Sequence, residues 1–202
     1  MHPLTRIACT VALTAASTFA LASLPSPAAS GDVRAVQEWV RKGQDNVGQP
    51  YAVIDKKNAA IHVFDGKGAL RGASPVLLGL ARGDDSVPGI GERPMKSIQP
   101  HERTTPAGRF VTEPGVNTGG EDIVWIDYDA AVSMHRVRTA NAQDRRLQRL
   151  ASRTVADNRI SYGCVNVPAD FYDRVIKPLF GQSAGVVYVL PETRPLASLL
   201  PR

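Results

Sequence analysis

The sequence predicts a mostly β domain with a few peripheral α-helices. Three observations carry this reading. Short runs rich in β-branched and aromatic residues recur with a period of two. Pairs and quartets containing Gly, Pro and Asn separate them. Apolar residues at helical spacing are confined to a few stretches near the two ends and after the middle.

Taken in order, residues 31–48 open with Asp32 as an available cap and place Val33, Val36, Trp39 and Val40 at helical spacing, which predicts an amphipathic helix on the outside of the domain. From Tyr51 the period changes to two. Residues 51–55 and 60–64 read as strands joined at Lys57-Asn58; Asp65-Gly66-Lys67-Gly68 makes the next turn and 74–80 a further strand, so the domain begins as a hairpin meander. Residues 82–99, with several Gly and Pro, predict a long irregular loop. Thr104-Thr105-Pro106-Ala107-Gly108-Arg109-Phe110-Val111 has the form of a Pro-Gly turn feeding a strand, and 123–128 and 131–137 give two more. Residues 139–157 are polar and basic, with Leu147 and Leu150 at helical spacing, and read as a surface helix inserted as a flap. A helix over 169–180 carries Phe171, Val175, Ile176 and Leu179 on one face, and 185–190 is a nearly continuous apolar strand expected near the centre of a sheet. The organisation expected is a leader over 1–30, the helix over 31–48, one main domain over 49–192 and a tail over 193–202.

The chain has 202 residues, 43% hydrophobic and 21% charged, enough for one domain with a substantial core. Its net charge of +5 suits an anionic partner, but the basic residues are scattered and form no nucleic-acid motif, so nucleic acid is not an expected partner. Arg6 followed by apolar, small residues over 7–24 and by Pro25-Ser26-Pro27-Ala28-Ala29-Ser30 reads as a signal peptide cleaved after Ala28 or Ser30, which places the protein in the periplasm or cell envelope. The competing reading is a retained anchor, because the apolar stretch is just long enough to span a bilayer. No other segment is apolar enough to cross a membrane, and a monomer is expected.

Of the two cysteines, Cys9 lies in the leader and Cys164 would be left alone. Exported proteins usually hold cysteines in pairs, so a single survivor points to a reactive thiol, against the alternative of a small buried hydrophobe. Gly163 stands before the sulfur, and Pro168 follows with a helical pattern behind it. This spacing predicts a tight turn near a helix N-terminus, where backbone N–H groups and the helix dipole favour thiolate. A nucleophilic cysteine also needs a base and donors for an oxyanion. His62 alternates with apolar residues in a strand and reads as solvent-facing; His101 lies in a loop; His135, near the end of the last strand before the cysteine segment, is the best-placed base. No H-x-x-x-H or C-x-x-C spacing occurs and no phosphate-binding glycine loop, so no metal and no cofactor are expected. Asp84-Asp85 reads as a pair of loop charges.

Ser161-x-Gly163-Cys164-Val165-Asn166, with His135 upstream and Thr105-Pro106-x-Gly108-x-Phe110 before both, resembles the L,D-transpeptidase catalytic domain, the YkuD family, over residues 51–190. The resemblance implies a β-sandwich-like or barrel-like domain acting on peptidoglycan stem peptides. In that family a cysteine attacks the carbonyl of the third, diamino-acid residue of a tetrapeptide, and an amine of another stem resolves the thioester. Carried over, Cys164 is the nucleophile, His135 the base, and Arg136 the residue whose carbonyl orients the imidazole. Backbone N–H groups at Gly163 and Cys164 supply the oxyanion hole, and Ser161, Tyr162 and Asn166 shape the substrate groove. The sequence departs from the pattern at Tyr162, where the family usually has a second histidine, at the bulky Arg136, and in the length of 139–157. Cross-linking, D-amino-acid exchange and L,D-carboxypeptidase hydrolysis remain open, as do a catalytically silent wall-binding module and a cysteine hydrolase with another exported peptide as substrate.

Overall fold

The computed structural model describes residues 24–200. The leader expected over 1–30 falls, up to residue 23, outside the described residues. Helix α1 (Gly31–Gly43) begins on Ser30, whose hydroxyl accepts from the Val33 N–H at 3.2 Å. Eleven strands follow in two main sheets and a short pair. The strands are β1 (Tyr51–Asp55), β2 (Ala60–Phe64), β3 (Leu70–Pro75), β4 (Leu78–Gly79), β5 (Gly108–Val111), β6 (Glu113–Val116), β7 (Asp122–Asp127), β8 (Val132–Arg136), β9 (Arg159–Ser161), β10 (Val165–Val167) and β11 (Val186–Val189). The first sheet has the order β3-β2-β1-β11-β5, the second β10-β8-β7-β6, and β4 pairs with β9. The fold is mostly β, with helices at its periphery.

The first sheet is buried on both faces, which is why β1, β2 and β11 are apolar along nearly their whole length. One face, with Ala52, Ile54, Ile61, Val63, Val187 and Val189, packs on the second sheet through Val124, Ile126, Met134, Val165 and Val167. Tyr172, Ile176 and Phe180 close that core. They come from a helical run of Ala169–Phe171, a π-helical turn Tyr172–Ile176 and Lys177–Phe180, which we call α3. Pro178 has no N–H to give to the preceding turn, and the widened turn accommodates it. The opposite face, with Tyr51, Val53, Phe64, Val186 and Tyr188, is covered by Val33, Val36 and Val40 of α1.

That cover corrects several expectations. His62 does not face solvent; at 1% exposure it lies beneath the chain entering α1, on the side of the sheet that the helix face seals. The strand expected over 74–80 is divided into β3 and β4. Residues 139–157 do not form one helix. They fold as Ala142–Asp144, α2 (Arg146–Ala151) and Val155–Asn158, anchored by buried Leu150 and by the Asn158 amide donating to the Val76 carbonyl at 3.0 Å.

The segment expected as a tail is also tied down. Leu196, Leu199 and Leu200 pack on the core beneath α1. The N–H groups of Glu192, Thr193 and Arg194 all donate to the Asp84 carboxylate. Asp84 is 3% exposed and pairs with the wholly buried Lys56 at 2.9 Å, while Arg159 holds Glu192 at 2.7 Å. Asp84 is therefore a buried structural charge, and only Asp85 matches the loop-charge reading. A buried lysine leaves the surface only with such partners, and their positions in sequence give no sign of the pairing.

Candidate active site

β8 and β10 run parallel and adjacent, with Asn166 directly beside His135. Alternation along β8 sends Met134 into the core and leaves Ser133 and His135 on the other face, where the turn between β9 and β10 lays Cys164 beside them. Gly163 makes that turn possible. Its φ is +136°, and a Cβ there would stand 2.8 Å from the Thr104 carbonyl oxygen, so any side chain meets both a strained backbone and fixed main chain. The Thr105 hydroxyl donates to the Gly163 carbonyl at 2.8 Å while accepting from the Gly79 N–H at 2.9 Å. From the other side, the Ser161 hydroxyl donates to the Cys164 carbonyl at 2.6 Å and accepts from the Gly163 N–H at 3.1 Å.

The sulfur is half-buried and free. The Ser133 N–H lies 3.5 Å from it and the Ser133 hydroxyl 3.6 Å, and the Ala131 carbonyl is 3.6 Å away. Burial pushes the thiol pKa up, but hydrogen bonding and charge from His135, together with the two Ser133 donors, outweigh it and bring it below the ordinary thiol value. His135 Nδ1 is 2.7 Å from the Arg136 carbonyl oxygen, and Nε2 is 3.2 Å from the Asn166 side-chain nitrogen. A carbonyl only accepts, so Nδ1 carries a proton, and in the neutral ring the lone pair is on Nε2; the charge that favours thiolate belongs to the ring once Nε2 is protonated as well.

The structure thus brings Cys164, His135, Gly163 and the Arg136 carbonyl into one constellation. The Arg136 guanidinium turns away, to Asp173 and Asp122 and over the Tyr172 ring, so its bulk does not enter the site. Other expectations are corrected. β10 separates Cys164 from the helix behind Pro168, so the nearby groups that favour thiolate are His135 and Ser133 and not a helix N-terminus. Ser161 and Asn166, at 4% and 1% exposure, brace the turn from beneath instead of lining an open groove. The Gly163 N–H is engaged by Ser161 and is not the open donor that the family resemblance implies.

Tyr162 is half-buried beneath the Arg103 guanidinium, 3.9 Å from the ring centroid, so a cation stands next to the position where the family pattern has its second histidine. His101 lies apart on the exposed short helix Pro100–Glu102. Among the described residues no cluster of three His, Cys, Asp or Glu side chains is placed to hold a metal, and no helix is long and apolar enough to cross a membrane.

Sequence reasoning passed over Ser133, Thr105, Arg103 and Arg146. Ser133 was reachable, because strand alternation places it on the face of His135. Thr105 stood in the quoted turn motif without a role. Arg103 and Arg146 meet the site only through tertiary folding.

No protein-family model matches the chain, and no curated protein matches it. Among solved structures it is similar to an LD transpeptidase in complex with imipenem, at 15% identity and a TM-score of 0.38 over 70% of this chain and 58% of that one. It is also similar to the helical cell shape determining protein Pgp2 from Campylobacter jejuni, at 13% identity and a TM-score of 0.46, over 78% of this chain and 55% of that one. A third is a fused Zn-dependent amidase/peptidase/peptidoglycan-binding domain-containing protein from Clostridium acetobutylicum, at 12% identity and a TM-score of 0.43, covering 82% of this chain and 65% of that one. The chain spans less than two thirds of the length of each.

Proposed function

We propose that the protein is an exported cysteine acyltransferase of the L,D-transpeptidase type, acting as a monomer in the cell envelope on peptidoglycan stem peptides. The observation that carries the reading is the set of groups around one free thiol: a neighbouring imidazole whose Nδ1 is held by the Arg136 carbonyl, leaving Nε2 for the lone pair of the neutral ring, and a glycine turn that sets the sulfur beside it. Together with the Ser161-x-Gly163-Cys164-x-Asn166 motif, that set matches what acyl transfer requires. The solved structures named above superpose too loosely to add weight; the geometry and the motif support the reading by themselves.

In this mechanism the Sγ proton passes to His135 Nε2 as sulfur attacks the carbonyl carbon of the third stem residue. The Cys164 N–H receives the oxyanion. The C–N bond breaks, Nε2–H protonates the departing amine of the terminal D-residue, and a thioester remains. An acceptor amine then attacks, gives its proton to Nε2, and regenerates the thiol. With water as the acceptor the same steps make an L,D-carboxypeptidase.

Mass spectrometry of disaccharide-tetrapeptide incubated with the protein, beside Cys164→Ala, tests the proposal. Dimers linked through the third residue, absent with the variant, are the expected products. Tripeptides alone would identify a carboxypeptidase. Unchanged tetrapeptide in both samples would reject acyl transfer on this substrate and favour a silent wall-binding module.

A further inference from the structure

The segment inserted between β8 and β9 reaches the base. Arg146, the first residue of α2, donates from Nη1 to Asn166 Oδ1 at 2.7 Å and from Nε to Asp144 Oδ2 at 2.9 Å. Its side chain is 18% exposed, and Asn166 is buried. A guanidinium has donors and no acceptor, so the amide atom facing it is the oxygen. The Asn166 NH2 is thereby turned to the opposite side, where it lies 3.2 Å from His135 Nε2 and 3.4 Å from the Cys164 carbonyl. A donor aimed at Nε2 requires a lone pair there. The Arg136 carbonyl, 2.7 Å from Nδ1, requires a proton on the other nitrogen. Both contacts select the same form of the ring.

We propose that Arg146 is a positioning residue: by fixing the orientation of the Asn166 amide it holds the His135 imidazole with its proton on Nδ1 and its lone pair on Nε2. The inference rests on the reading of His135 as the base for Cys164, and it assigns regulation of that base to the inserted segment. With Arg146 removed, the amide is free to turn through half a rotation and present Oδ1 to Nε2. Two acceptors, Oδ1 and the Arg136 carbonyl, would then face the two ring nitrogens, an arrangement that favours the doubly protonated ring, which cannot take the thiol proton. Held as it is, the amide offers no acceptor to Nε2–H. The proton that leaves sulfur for Nε2 is therefore readily passed to the departing amine.

The other charged and titratable groups around the ring do not duplicate this role. Cys164 faces it from the β9–β10 turn. Glu121, from the turn before β7, is within electrostatic reach of His135 but is engaged by Arg138 and Asn117. The Arg136 guanidinium, with Asp122, Asp173 and Lys177, lies on the far side of β8.

The test is nitrogen-15 NMR of histidine-labelled full-length protein at neutral pH, which reads directly which ring nitrogens of His135 carry protons. Arg146→Met should raise the doubly protonated fraction of His135 several-fold. Arg146→Gln keeps a donor for Oδ1 without the charge and should retain the parent spectrum. A parent-like spectrum for Arg146→Met would overturn the proposal. So would an Arg146→Gln spectrum matching that of Arg146→Met, since charge alone would then account for the effect. Should Arg146→Met fail to fold, Arg146→Lys and Arg146→Gln decide between the same outcomes: both parent-like supports orientation, and only Lys parent-like overturns it. The spectrum needs no substrate, so failure on tetrapeptide would reject the proposed reaction while leaving this result legible, and the reverse.

Discussion

At the scale of single residues, the site depends on a few main-chain positions that accept no alternative. Gly163→Ala places a Cβ against the Thr104 carbonyl at a φ that side chains rarely adopt, and should cost about 1–3 kcal/mol in urea unfolding. It should also slow alkylation of Cys164, because the sulfur moves off Ser133. Parent-like stability and reactivity would show that the turn relaxes freely. For Cys164 itself the net effect of its neighbours is a lowered pKa. The rate of iodoacetamide modification of the Cys164 peptide, followed against pH by mass spectrometry, should therefore reach its half-point below that of a free thiol, about 8.5. A half-point at or above that value would contradict the arrangement of His135 and Ser133.

At the scale of elements, α1 converts an open sheet face into a second core, and its start is set by one hydroxyl. In a chain that retains residue 30, Ser30→Ala removes the side-chain acceptor of the Val33 N–H and should lower stability by about 1 kcal/mol, read in the same unfolding assay. Beneath that element lies His62, whose pKa is lowered, chiefly by burial. The sign follows from the lowered value: the folded state prefers the neutral ring. The associated stability is present above the ordinary imidazole range near about 6.5 and drains as pH falls below it. His62→Leu should flatten the pH dependence of unfolding between neutral and mildly acid pH; an unchanged slope would place its origin elsewhere. The sequence read His62 as outward-facing because alternation distinguishes two faces of a strand but cannot say that both are covered. Strands β1, β2, β5, β7, β8 and β11 were legible, because β-branched runs between Gly and Pro turns leave few other conformations, whereas the short β6, β9 and β10 carry no such run. The 139–157 segment was not: Leu147 and Leu150 suggested one helix, whereas Arg145 in a left-handed conformation and Ser152 in an extended one confine α2 to six residues.

At the scale of the whole molecule, one buried charge network joins distant parts of the chain. Lys56 donates to the carbonyls of Gly83 and Thr105 as well as to Asp84, and Thr105 in turn holds Gly163. The end of the chain and the cysteine turn are therefore fastened to the same lysine. Asp84→Asn leaves that lysine short of a countercharge, and a loss of about 3–5 kcal/mol is expected in denaturant unfolding. Burial pushes the Asp84 pKa up, but the Thr193 hydroxyl, the N–H groups of the 192–194 segment and Lys56 more than offset this and hold it well below the usual carboxylate range. Its contribution is thus complete above the unfolded value, about 3.9, and is lost as pH falls further. The acid-unfolding midpoint should consequently move to higher pH in the variant. That Cys164 and His135 would lie together was readable because their types and order are local facts of sequence. The network was not, because Lys56, Asp84, Arg159 and Glu192 acquire their pairing only when the sheets close.

The strand order carries one more consequence. Val186–Val189 comes last among the described strands yet sits between β1 and β5, with Tyr51 aligned beside Val186. A chain released progressively from its N-terminal end holds every other strand before this one arrives, with β1 and β5 still lacking their common neighbour. Closure is consequently a late event that waits for nearly the whole polypeptide, with a long loop to pull shut.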